Sequence, residues 1–215
     1  FMLHSKTFTV NPFQENTYLI YNDNGQAVIV DPGFYGRDEE KLLSDYLETN
    51  HLELTRCLLT HAHLDHIFGC RYIFERYGLQ PELHQDGRPV YESAASTAAM
   101  YGVRMQEPPP VNYVFGDDGP IEILGQKLEL YHTPGHSPGS VSFYSPEDGL
   151  LWSGDVLFQG SIGRTDLPGG SFEVLEASIR KKLYPLPDET VVKSGHGPET
   201  SIGWEKKNNS FVRME

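Results

Sequence analysis

Short runs rich in Val, Ile, Leu and Tyr recur along the chain: TYLIY (17–21), AVIV (27–30), RCLL (56–59), KLELY (127–131), SVSFY (140–144), LLWS (150–153) and TVVKS (190–194). Apolar runs this short, bounded by Gly, Pro, Asp or Asn, predict strands. Between some of them apolar residues recur at three- and four-residue spacing, which predicts helices over roughly 38–49, 66–77, 87–101 and 172–183, the last capped by Ser171 after PGG. The mixture is α/β. EPPPVNYVFGDDGP (107–120) reads as a loop near the midpoint. Strand-like runs continue on both sides of it, without an internal repeat or a low-complexity tract, so residues 1–215 are expected to form one domain.

The residues at the carboxyl end of each strand are more informative than the strands themselves. AVIV runs into Asp31-Pro-Gly, RCLLT into HAHLDH, KLELYHTPG into His136, LLWSG into Asp155, and VVKSG into His196. Polar residues thus gather where α/β proteins place their sites. In LLTHAHLDHIFG, His61 and His63 are two apart, so in an extended segment their side chains leave on the same side; Asp65 and His66 come next, at the turn into a helix. With 9 His in the chain, His-x-His-x-Asp-His arises by chance with odds on the order of one in a thousand. Three imidazoles and a carboxylate nearly complete a coordination shell for one Zn²⁺, in an arrangement better suited to two ions.

Composition narrows the classes. No apolar stretch approaches the roughly 18 to 20 residues that span a bilayer, and FMLHSKTFTV lacks the basic start and apolar segment of a secretory signal. Phe1 ahead of Met2 reads as an added residue. Two cysteines, Cys57 and Cys70, have no zinc-type spacing, and both are expected to be buried small residues in a reduced, cytoplasmic protein. A net charge of −13 argues against nucleic acid and anionic membranes as partners, which require clustered Lys and Arg. His4, His51 and His84 stand outside any motif, and His132 is separated from His136 by a break at Pro134.

HAHLDH, HTPGHSPGS, WSGD and KSGHGPET, in this order and spacing from about Asp31 to His196, closely resemble the metallo-β-lactamase superfamily of metal-dependent hydrolases. Within it the chain is most similar to the hydroxyacylglutathione hydrolases (glyoxalase II) in their shorter bacterial form, because 19 residues come after His196 where the longer members add a helical region with basic residues. The resemblance implies a four-layer αβ/βα sandwich, with two mixed sheets flanked by helices. It implies a first metal on His61, His63 and His136, a second on Asp65, His66 and His196, and Asp155 bridging them, most simply two Zn²⁺ with iron as the other candidate. Two cations sharing one water lower its pKa toward ~7 and create a hydroxide that attacks an acyl carbonyl, with Asp65 and Asp155 as the carboxylates of the reacting centre. A thiolate leaving group needs no separate acid. Asp31 would orient a ligand histidine.

The expected substrate is therefore a small-molecule thioester. Arg164, in the Gly-rich GSIGRTDLPGG (160–170), either grips a substrate carboxylate or pairs with Asp166, and Phe13, Phe34 and Tyr35 either line the cleft or pack in the core. The β-lactamase branch often carries Cys at the position of Asp155, which points away from antibiotics. GRTD also resembles the persulfide dioxygenases, in which one iron would sit on His61, His136 and Asp155. A lactone hydrolase and a non-catalytic metal-binding scaffold are further readings of the same fold.

Overall fold

The strand pattern builds two mixed six-stranded sheets. The computed structural model describes residues 2–214, so Phe1 lies outside them. In chain order the first sheet contains β1 (His4–Val10), β2 (Glu15–Tyr21), β3 (Gln26–Val30), β4 (Glu53–Leu58), β5 (Pro81–His84) and β6 (Asn112–Phe115). It is antiparallel as far as β3 and parallel beyond it. The second contains β7 (Gly119–Ile123), β8 (Gln126–His132), β9 (Val141–Ser145), β10 (Leu150–Gly154), β13 (Val191–Ser194) and β14 (Thr200–Ser201), with only β10 and β13 parallel. A hairpin of β11 (Leu157–Phe158) and β12 (Ser161–Ile162) stands apart.

Alternation along the strands explains the layers. Tyr18, Ile20, Val28 and Val30 face one way, against Val141, Phe143 and Trp152 of the second sheet, and Leu19, Ala27 and Ile29 face the other. Apolar faces on both sides must both be covered. Leu43 and Leu47 of α1 (Arg37–Thr49), with Ile73, cover the outer face of the first sheet. Leu175, Ile179 and Ile202 cover that of the second. The result is the expected helix–sheet–sheet–helix sandwich. Phe143 is fully buried between the sheets. Phe143→Ala should cost about 3–5 kcal/mol in urea unfolding at unchanged slope.

All seven expected strands are present, but the helices are more broken than their spacing suggests. The 66–77 segment is α2 (Leu64–Ile67) and α3 (Cys70–Tyr77), interrupted where Gly69 donates its N–H to the Pro32 carbonyl at 2.7 Å with no room for a side chain. The 87–101 segment is α4 (Arg88–Glu92) and α5 (Ala94–Met100), separated at Ser93, where ψ is 0°. Ser171 caps α6 (Phe172–Ser178) through the Val174 N–H, but residues 179–183 wind wider, with Tyr184 N–H reaching back to Ile179. α7 (Ile202–Asn208) comes after β14. The supposed loop 107–120 instead holds β6 and the start of β7, the edge strands between which the chain crosses from one sheet to the other. Among the described residues no helix is long and apolar enough to cross a membrane.

The sheets are also stitched by hydrogen bonds at one end. Val141 N–H donates to Thr60 O (2.8 Å), Asn16 N–H to Gly195 O (2.7 Å), and the Tyr18 hydroxyl to Ser194 O (2.6 Å). Every polar group singled out at a strand end lies at this seam.

Candidate metal centre

At the seam the loop after β4 meets the loops after β8, β10 and β13. His61, His63 and His136 bring one nitrogen each into a group, and Asp65, His66, Asp155 and His196 form a second; within each group the donor atoms lie within 4.8 Å of one another. His136 Nε2 is 2.8 Å from His63 Nδ1 and 3.2 Å from His61 Nε2. In the second group His196 Nε2 is 2.9 Å and His66 Nε2 3.5 Å from Asp65 Oδ2. Asp155 lies between them. Its Oδ1 is 3.2 Å from His66 Nε2, while its Oδ2 is 3.4 Å from His196, 3.6 Å from His136 and 4.0 Å from His61. A side chain at Gly195 would be built into Asp155 Oδ1 and the His66 ring, so this approach requires glycine.

In His61, His66, His136 and His196 the outer ring nitrogen is committed elsewhere, which leaves the inward one as the donor. His66 Nδ1–H donates to Asp31 Oδ2 (2.9 Å), and His61 Nδ1–H to the Thr60 hydroxyl (3.0 Å), which passes its own proton to the same carboxylate oxygen (2.6 Å). Asp31 Oδ1 accepts Thr60 N–H at 2.7 Å. His136 Nδ1–H donates to Arg164 O (2.7 Å) and His196 Nδ1–H to Phe13 O (3.1 Å). One carboxylate thus orients two histidines in two groups. Asp31 has φ of 51°, a left-handed conformation that Asp and Asn tolerate better than other side chains. Asp31→Asn keeps this backbone but turns an amide N–H₂ toward a donor. It should weaken metal binding about 10- to 100-fold in competition with a chromophoric chelator.

Electrostatics divides the two groups. Burial, reinforced by neighbouring histidines, holds His61 well below its ordinary pKa and pushes His63 down to about 3; burial also lowers His136. These are neutral nitrogen donors. Burial opposes charge on His66 too, but Asp155, Asp65 and Asp31 outweigh it and raise its pKa well above the ordinary value. Hydrogen bonds to Asp155 and Asp65 similarly overcome burial to raise His196 to about 9. The same pairing overcomes burial to hold both carboxyls below their usual range. The second group therefore stabilises positive charge in a buried place. His66 Nε2 and Asp155 Oδ1 are buried and have no hydrogen-bond partner, a costly arrangement unless something binds both. Neutral imidazoles, carboxylates and these orphaned atoms fit divalent cations.

For other residues singled out in the sequence, the structure shows which contacts they make. Phe34 is buried among the residues between the first sheet and its helices, so it does not line a cleft. Arg164 closes its exposed guanidinium on Asp166 at 2.6 and 2.7 Å, and it reaches the cluster only through its carbonyl. His84 and His132 stack at 4.0 Å, and His132 bonds the Pro138 carbonyl at 2.8 Å, bracing the loop of His136. Cys57 and Cys70 are buried and free. Glu15 escaped the sequence reading. It is wholly buried, receives the Thr17 hydroxyl at 2.8 Å, and has its other oxygen 3.7 Å from His66 Nδ1; burial raises its pKa well above the carboxylate range. Its indirect signature is Gly33, where a side chain would collide with the Glu15 carboxylate.

Comparison with known proteins bears on this arrangement. The sequence model of the metallo-β-lactamase superfamily matches residues 10–196. The chain is 41% identical over 205 residues to the probable metallo-hydrolase YqgX of Bacillus subtilis, covering 94% of each. It is 38% identical over 208 residues to the hydroxyacylglutathione hydrolase GloC of Haemophilus influenzae, covering 96% of each. Among solved structures it matches the BLEG-1 B3 metallo-β-lactamase with TM-score 0.89 and 40% identity, covering 98% of this chain and 99% of that one. It matches TTHA1623 in a di-iron-bound form with TM-score 0.85 and 40% identity, covering 96% and 100%.

Proposed function

The chain belongs to the metallo-β-lactamase superfamily, and from that premise we propose that it is a binuclear metal-dependent hydrolase of thioesters. The observation that carries the reading is Asp155, whose two oxygens face the two donor groups. His61, His63 and His136 would hold one cation, Asp65, His66 and His196 the other, and Asp155 both. Bound there, two divalent cations supply a water acidic enough to ionise near neutral pH and a Lewis acid for an acyl oxygen. Zn²⁺ suits the nitrogen-rich donor set; the di-iron form of TTHA1623 supports iron as the other candidate.

The chain's own contribution is rigidity. Asp31 and Thr60 fix His66 and His61 in the tautomers that turn Nε2 inward, and the carbonyls of Arg164 and Phe13 do the same for His136 and His196. Asn11 holds the Asp65 carbonyl at 2.9 Å, steadying the backbone of a residue whose carboxylate would hold the second cation. The likeness to GloC supports a thioester, whose thiolate leaves without a proton.

The likeness to BLEG-1 favours one second reading, hydrolysis of a β-lactam amide, whose nitrogen must be protonated as it leaves. The dioxygenase reading uses His61, His136 and Asp155 and leaves His63, Asp65, His66 and His196 without a task. Steady-state assays on a neutral thioester, a β-lactam and a persulfide, with an oxygen electrode in line, separate the three. Thioester turnover without oxygen uptake is expected; turnover of the lactam or persulfide alone rejects the proposal.

A further inference from the structure

We infer that an aromatic strip beside the donor cluster, formed by Phe13, Phe68 and Tyr35, receives an apolar chain of the substrate, so that the enzyme favours apolar over anionic thioesters. The inference rests on the thioester reading above. Phe68 lies two residues beyond His66, and Phe13 is the residue whose carbonyl fixes His196, so both rings project from backbone tied to the cluster. The Phe68 ring sits between the others, 4.8 Å from Tyr35 and 6.2 Å from Phe13 between centroids. Phe158 stands perpendicular to the His196 ring at 6.1 Å, a further aromatic group beside that donor.

Phe13 is 50% exposed, and Phe68, Tyr35 and Phe158 are only partly covered. Contiguous aromatic surface left in water beside a polar cluster is what an apolar ligand covers with gain. Charge points the same way. Arg164, the cation singled out as a candidate for a substrate carboxylate, is neutralised by Asp166, and the chain carries −13. A thiol carrier bearing carboxylates or phosphates meets repulsion at long range and finds Arg164 already paired.

The test measures kcat/KM for the purified full chain on two series. One lengthens the acyl group from acetyl to hexanoyl on N-acetylcysteamine; the other lengthens an alkyl thiol under a fixed acetyl group. S-acetylglutathione serves as the anionic comparison. At least one series should rise about 2- to 4-fold per methylene, mostly through KM; which series rises identifies the half of the substrate that the strip holds. The ratio of longest to shortest substrate should fall toward one in both Phe13→Ser and Phe68→Ala, and since it is internal to each variant it is independent of metal loading. Phe13→Ser carries the test if Phe68→Ala does not fold. Flat series in a wild-type chain that hydrolyses thioesters, a rise that survives both substitutions, or a preference for the glutathione ester overturns the inference. A chain that hydrolyses no thioester overturns the thioester reading and this inference with it.

Discussion

Asp155→Asn should lower kcat/KM by at least about 10³-fold while leaving the chain folded. Asparagine keeps the volume of the buried side chain but offers one lone-pair oxygen and an amide N–H₂ in place of two carboxylate oxygens. Oδ1 faces His66 at 3.2 Å and Oδ2 faces His196 and His136 at 3.4 and 3.6 Å, so whichever way the amide turns, either His66 or the pair His196 and His136 faces an N–H₂ in place of an oxygen. Metal content should fall together with activity, and circular dichroism should stay native. A non-catalytic scaffold predicts a different result: a stability change with no turnover to lose. The substitution therefore separates an enzyme from a binding protein on the same fold.

Chelation should have the second large effect. Ions that bind only the folded chain stabilise it by about 3–4 kcal/mol when present at hundreds to a thousand times their dissociation constant, which for a chain of this size is a melting shift of roughly 5–15 °C. Dipicolinate treatment and then desalting should thus lower the melting temperature and abolish turnover, and titration with metal should restore both at two equivalents. The pH dependence of the chelated chain is set by its own pairs. His66 and His196 gain affinity for a proton on folding because carboxylates surround them, so their contribution is full below the unfolded value of about 6.5 and is lost as pH rises through about 9 for His196. Metal binding must expel those protons. Its apparent affinity should rise with pH over the same window, with proton release seen in weakly buffered calorimetry.

The candidate donor residues were readable from sequence where they stand in motifs. HAHLDH, His136, Asp155 and His196 all come directly after strands whose apolar runs are unmistakable, and the fold brings them together within two adjoining groups. The groups that orient them were less readable. The carbonyls of Phe13 and Arg164 act through backbone, which leaves no trace in residue type. Glu15 sits in a strand beside Asn16 and Thr17 with no motif, and only its burial beside His66 gives it significance. Edge strands were missed for a related reason. β1 and β6 are partly exposed and carry polar residues, so they lack the dense apolar runs that mark the central strands. The break at Gly69 arises from a tertiary contact with Pro32, and helical periodicity continues through it undisturbed.

The central claim is that two ions share one carboxylate in a hydrolytic site. Elemental analysis of the chain purified without added metal, paired with thioester turnover on the same sample, tests it most directly. Two metal ions per chain, with activity proportional to occupancy of both, is the result this account predicts. One iron per chain in a fully active sample, with oxygen consumed on each turnover, would contradict it.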